Sequence, residues 1–141
     1  MKRMIPWGVE VIYSNRKPIP AEEEKELNAR YVSLNELLAQ SDIISIHCPL
    51  TPETHHLINA ETLSQCKRGV FLINTSRGQV VDEKALINAL QRDQVKRAGL
   101  DVFEREPYYE KELLEMDNVV LSPHYAAFTE ECSMFPFVRW G

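Results

Sequence analysis

Glycine is scarce in these 141 residues: Gly8, Gly69, Gly78, Gly99 and Gly141 are the only five, and none falls at the spacing of a G-x-G-x-x-G turn. A glycine-rich phosphate loop opening a helix is therefore excluded from this stretch of chain. Cysteine is also sparse. Cys48, Cys66 and Cys132 make neither a C-x-x-C pair nor an even disulfide set. The opening MKRMIPWG lacks the apolar stretch of a signal peptide. No run approaches the roughly 20 apolar residues of a membrane helix. The expectation is a cytoplasmic protein with reduced thiols and no membrane contact. A basic excess is missing too: the net charge is −5 and the pI about 5.4, which gives no electrostatic ground for nucleic-acid binding. His47, His55 and His56 have no carboxylate or thiol at metal-ligand spacing, so no metal is expected. His47 reads as a structural residue at a strand end and the His55–His56 pair as solvated.

What remains is an ordinary globular composition, 44% hydrophobic and 26% charged, which fits one domain at most. Small molecules or proteins are the expected partners. Apolar strand-like runs alternate with helical patterns, the signature of a parallel sheet covered by helices. The first strand is VEVIYS, Val9 to Ser14, closed off by Pro18 and Pro20 before an acidic helix from about Ala21. Ser33 and Glu36 have capping-box spacing and start the helix LNELLAQS. DIISIHC is the second strand. Asn59 caps the helix AETLSQCK, Gly69 ends it, and the strand VFLIN follows. Asp82 caps a helix whose stripe Ala85, Leu86, Ala89 and Leu90 has the spacing of a buried face. RAGLDVF and NVVLS are the last strands, separated by a helical stretch around Leu113 and Leu114.

Three of these strands end in loops that carry chemistry. VFLINTSRG delivers Arg77, AGLDVFEREP delivers Glu106, and VVLSPH delivers His124. An arginine suits an anionic group, a histidine titrates near neutrality, and a carboxylate beside an imidazole favours its charged form. Together they are the parts that hold an anionic substrate and move a proton. Taken singly, Arg77 reads as a turn residue before Gly78, Glu106 as a solvated charge beside Pro107, and His124 as a loop histidine. Cys48 reads as a small apolar filler.

The strings VIYSNR, SDIISIHCPLTPET, GVFLINTSRGQVVDEKAL, AGLDVFEREP and LSPH occur in one order and spacing. In these the segment from about Gly8 to Cys132 resembles the nucleotide-binding domain of the D-isomer-specific 2-hydroxyacid dehydrogenases, nearest to the glyoxylate and hydroxypyruvate reductases. The resemblance implies an α/β, Rossmann-type parallel sheet with flanking helices that lacks the first strand and its Gly-rich turn. Residues 1–132 would be a partial NAD(P)-binding domain and 133–141 a divergent tail, with Tyr125 standing where an isoleucine is usual.

The resemblance further implies that Arg77 binds the carboxylate and carbonyl of a small 2-keto acid, and that His124 gives or takes the hydroxyl proton. Glu106, five positions past Asp101, would hydrogen-bond His124. Asp101 matches the aspartate that contacts the nicotinamide carboxamide. The cofactor would also meet Ser14, Asn15, Arg16, Cys48, Pro49, Thr54, Thr75 and Ser76, besides Arg77 and His124. NAD-specific relatives place an acid at the end of the second family strand. Ser14, Asn15 and Arg16 stand there instead, so NADP(H) is expected to be preferred, with NAD(H) as the alternative. The whole family member is expected to be a homodimer. Two other readings are a non-catalytic, corepressor-like interaction module and a gene product that has lost its function.

The chain begins at what reads as the end of the helix that follows the Gly-rich turn. In the strand order 3-2-1-4-5-6, the missing strand is expected between VEVIYS and VFLIN, leaving two unpaired edges and less burial than a chain of this length usually achieves.

Overall fold

A computed structural model describes residues 2–128. The divergent tail 133–141, Cys132 and Trp140 lie outside the described residues. A 3-10 helix, Lys2–Trp7, leads into strand β1, Val11–Tyr13, and helix α1, Ala21–Leu27. Three glutamates, Glu22, Glu23 and Glu24, fill the first turn of α1, where negative charge is stabilised by the positive end of the helix dipole. Asn28 then turns left-handed, at φ 47°, into a short strand β2, Ala29–Tyr31. Helix α2, Leu34–Gln40, starts at the expected capping box, with Ser33 Oγ accepting the Glu36 amide and Glu36 accepting the Ser33 amide.

Then follow β3, Ile43–Ile46, α3, Ala60–Gln65, β4, Val70–Asn74, α4, Glu83–Gln91, β5, Val95–Leu100, α5, Lys111–Leu114, and β6, Val119–Leu121. Asn59 and Asp82 cap α3 and α4 as expected. Gly69 does not end α3. The helix stops at Gln65 with Cys66 extended, and Gly69, at φ 82°, makes the turn into β4.

Among the described residues, all pairings between the named strands are parallel and fall into two sheets, β1-β2 and β3-β4-β5-β6. This corrects the expected position of the gap. β4, which contains VFLIN, has β3 on one side and β5 on the other, so the unpaired edge belongs to β3. The short strand β2 was not anticipated, and without it the strand count slips by one.

The core lies where α2, α3 and α4 pack with β3, β4 and β5: Leu38, Leu63, Val70, Leu72, Leu86, Leu90 and Val95 are all at most 2% exposed. The α4 stripe Ala85, Leu86, Ala89 and Leu90 is buried as expected, and Ile87 joins it. β1, α1 and β2 keep a small core of their own, Tyr13, Leu27 and Val32, in which Tyr13 OH donates to Glu24 Oε1 at 2.7 Å. In register, Ile43 neighbours Phe71, Ile73 neighbours Gly99, and Gly99 neighbours Val120, so all five share the face opposite the core. That face is open: Ile43 is 58% and Val120 72% exposed.

Candidate active site

Parallel strands send their carboxyl ends to one side, so the loops after β4, β5 and β6 meet there. At the end of β4, Asn74 points inward at 1% exposure. Its Nδ2 donates to the Arg77 carbonyl at 3.0 Å, and its Oδ1 accepts from the Ser76 amide and hydroxyl, each at 3.1 Å. The Thr75–Arg77 loop is thereby folded back on the strand that carries it. Arg77 stays exposed, with one guanidinium nitrogen, Nη1, donating to the Ser76 carbonyl at 2.7 Å.

Gly78 brings this loop against the next one. A Cβ placed there would lie 1.9 Å from the Phe103 carbonyl carbon and 2.5 Å from the Glu104 nitrogen, so only glycine permits the approach. Beyond Phe103, Glu106 folds back on its own loop: Oε1 accepts the Phe103 amide at 3.0 Å and Oε2 lies 2.9 Å from His124 Nδ1. Burial pushes the Glu106 carboxyl up, but the hydrogen bond from His124, the Phe103 amide and the His124 charge outweigh it and hold the group below its ordinary value. An ionised Glu106 accepts from Nδ1–H and leaves Nε2 as the nitrogen that exchanges a proton.

His124 sits at φ 60°, a left-handed conformation that needs outside support. Asp101, 3% exposed, supplies it. Its Oδ1 accepts from the Ser122 hydroxyl and from the Tyr125 amide at 2.8 Å, while Oδ2 accepts the Ala126 amide at 2.9 Å. Burial raises the Asp101 carboxyl, yet these donors and the His124 charge prevail and keep it below its usual value. Arg77, Phe103, Glu106 and His124 line one open cleft of about 400 Å³, with Gly78, Gln79, Glu104 and Arg105. Asn74, Gly78 and Ser122 escaped notice in the sequence as parts of the site. The available signal was a polar Asn at an inward position of an alternating strand.

The other expected contact residues divide into two groups. Ser14 is half-buried just after β1 and is followed by exposed Asn15 and Arg16, whose loop is tied by Tyr31 OH donating to the Asn15 carbonyl at 3.0 Å. Arg16 is close enough for its charge to help lower the Glu53 carboxyl, after the Thr51 hydrogen bond that lowers it most. The loops after β1 and β3 are therefore neighbours. After β3, Thr54 Oγ1 donates to the Pro49 carbonyl at 2.7 Å and accepts the Thr51 amide at 2.8 Å, so its hydroxyl folds its own loop. Burial pushes the Cys48 thiol up, and Cys48 packs against the core as an apolar filler. Thr75 is exposed. His47 stands just past β3, exposed, with Nε2 2.8 Å from Ser45 Oγ. His55 is exposed, but His56 is not a solvated residue: its Nε2 lies 2.9 Å from Glu104 Oε1. Among the described residues, no group of three or more His, Cys, Asp or Glu could hold a metal ion.

Residues 1–126 match the family described as D-isomer specific 2-hydroxyacid dehydrogenase, NAD binding domain. A putative 2-hydroxyacid dehydrogenase from Schizosaccharomyces pombe is 47% identical over 138 residues, covering 93% of this chain and 41% of the relative. A glyoxylate reductase from Thermococcus litoralis is 50% identical over 130 residues, covering 92% of this chain and 39% of the relative. Among solved structures, a glyoxylate reductase from Paecilomyes thermophila superposes with a TM-score of 0.88 at 42% identity, covering 94% of this chain and 40% of that one. The chain thus spans about two fifths of the length of the relatives it matches. The family match over nearly the whole described chain, joined to the parallel sheet and its strand-end loops, places it without ambiguity: this chain belongs to the D-isomer specific 2-hydroxyacid dehydrogenase family, as its NAD-binding domain.

Proposed function

We propose that this chain supplies the cofactor-binding and proton-transfer part of an oxidoreductase that reduces small 2-keto acids of the glyoxylate and hydroxypyruvate class. The observation that carries this reading is the His124 Nδ1–Glu106 Oε2 pair at 2.9 Å in one cleft with the exposed Arg77. Arg77 offers a planar fork of donors to a substrate carboxylate. Glu106, ionised, steadies the imidazolium of His124, and the Nε2 proton is delivered to the oxygen that becomes the hydroxyl. In the reverse direction the same nitrogen takes the hydroxyl proton. A bound nicotinamide dinucleotide would supply the hydride, which none of these side chains can provide.

Ser14, Asn15 and Arg16 fit the ribose end of such a cofactor by the chemistry of their donors. An exposed cation and a hydroxyl, with no acid among the three, suit a 2′-phosphate, which supports a preference for NADPH over NADH. Pro49, Thr54, Thr75 and Ser76 would shape the middle of its path. Asp101 has both oxygens engaged by the loop after β6, and we assign it to holding that loop rather than to the nicotinamide carboxamide. The whole protein would act in the cytoplasm as a homodimer.

The test is a chimera in which this sequence replaces the matching segment of the Thermococcus litoralis glyoxylate reductase. It should reduce glyoxylate with a higher kcat/KM for NADPH than for NADH, and His124→Gln should lower kcat by about a hundredfold or more. A folded, cofactor-binding chimera indifferent to His124→Gln overturns the catalytic reading, and a clear NADH preference overturns the cofactor reading.

A further inference from the structure

Beside the cleft, three strand-end segments converge on two carboxylates that the proposed reaction does not use. Glu83, the first residue of α4, is 4% exposed, and its Oε1 accepts the Glu104 amide at 2.6 Å. In return Glu104 Oε2 accepts the Glu83 amide at 3.4 Å, while its Oε1 meets His56. His56 is fixed in turn, its amide donating to the Gln79 carbonyl at 2.9 Å. The peptide joining Phe103 to Glu104 is the same one that occupies the place of a Gly78 side chain. It is packed against Gly78 and held at its N–H by Glu83. One amide earlier, Phe103 N–H donates to Glu106.

We propose that Glu83 is a positioning residue for the His124–Glu106 pair: by holding the Phe103–Glu104 peptide against Gly78, it keeps the Phe103 amide aimed at the Glu106 carboxylate. The proposal rests on the catalytic reading of that pair. Packing alone does not explain a glutamate here. Burial raises the Glu83 carboxyl first, and the Glu104 and Glu110 charges raise it further against the Glu104 amide and Arg105, so an apolar side chain would be the less costly filling for this position. What an apolar residue could not do is accept the half-buried Glu104 N–H, which would lose its partner. The aim of the Phe103 amide matters because a hydrogen bond to an ionised carboxylate is short, strong and directional.

The measurement is a 13C NMR titration of the Glu106 carboxyl carbon in the 141-residue chain. Its midpoint is set by the groups that face it: His124 and the Phe103 amide lower it, and the Asp101 charge raises it. In Glu83→Met the midpoint should rise by roughly half a pH unit. Glu83→Gln, which keeps an acceptor oxygen, should restore the wild-type value. A wild-type midpoint in folded Glu83→Met, or no rescue by glutamine, overturns the proposal. Should Glu83→Met not fold, Glu83→Asp carries the same expectation, because it keeps the charge and loses the reach. His124→Gln is the control for the underlying reading. If it leaves the Glu106 midpoint unmoved, the His124–Glu106 pairing fails, and the clamp is still judged by the Glu83 series.

Discussion

Arg77 and Gly78 are adjacent and have opposite requirements. Arg77 has most of its guanidinium free for a ligand, so Arg77→Ala in a catalytically complete protein should raise KM for the keto acid more than it lowers kcat; steady-state kinetics separate the two, and an unchanged KM would remove Arg77 from the substrate site. Gly78 has no space at all. Gly78→Ala forces the Phe103–Glu104 backbone away and should cost about 1–3 kcal/mol in denaturant unfolding. Asp101 acts through its charge. Its folded-state affinity for a proton is depressed below the ordinary 3.8, so its stabilisation is present above that pH and is lost as pH falls through the lower folded value. Glu83, raised from 4.5, has the opposite sign: its folded state is favoured below that pH and loses the benefit as pH rises. Asp101→Asn should therefore flatten the acid limb of the stability profile, and an unaltered limb would show that the carboxylate does not hold the His124 loop as an anion.

At the scale of elements, glycine changes sign. Gly99 lies within β5 on the open face, with nothing inside 4 Å of an added Cβ, so Gly99→Ala in this chain should stabilise it by about 0.4–1 kcal/mol, the reverse of Gly78→Ala. At the start of α2, Ser33→Ala removes the capping box and should cost about 1 kcal/mol, read from the same unfolding curves. These elements were legible because their signals are local: a Ser and a Glu three apart, an Asn or Asp before an apolar stripe, a run such as VFLIN. Ala29–Tyr31 was not, because three residues with one inward position carry no period. Its pairing with β1 is a matter of register between distant residues. The site divides in the same way. Arg77, Glu106 and His124 stood out as strand-end residues in family spacing, whereas Glu83, Glu104 and His56 are far apart in sequence and acquire their contacts only when three loops are folded together.

At the scale of the whole molecule, the proposed proton-transfer pair of His124 and Glu106 shares one cleft, but turnover also needs a firmly held cofactor. None of its five glycines makes a phosphate-binding turn, and it spans about two fifths of its relatives. Thr54, expected to bind the cofactor, turns its hydroxyl to its own loop, and Asp101 has both carboxylate oxygens engaged by the loop after β6. The purified 141-residue chain should therefore bind NADPH weakly in calorimetry and show no measurable glyoxylate reduction. Micromolar binding with turnover would contradict this, since loosely held catalytic groups lose on the order of a hundredfold per ångström of misplacement. The uniformly parallel register also governs how the chain reaches this state. Ile43 waits for Phe71, Phe71 for Arg97, and Ala98 for Val119, so no two strands can zip together through a tight turn. Each pairing closes only after a long crossover has been made, which places this small domain among the slow folders. During that interval β3 has no neighbour on one side, and Ile43 stands bare on it. The yield of refolded chain should thus depend on concentration, falling as molecules meet before the crossovers close.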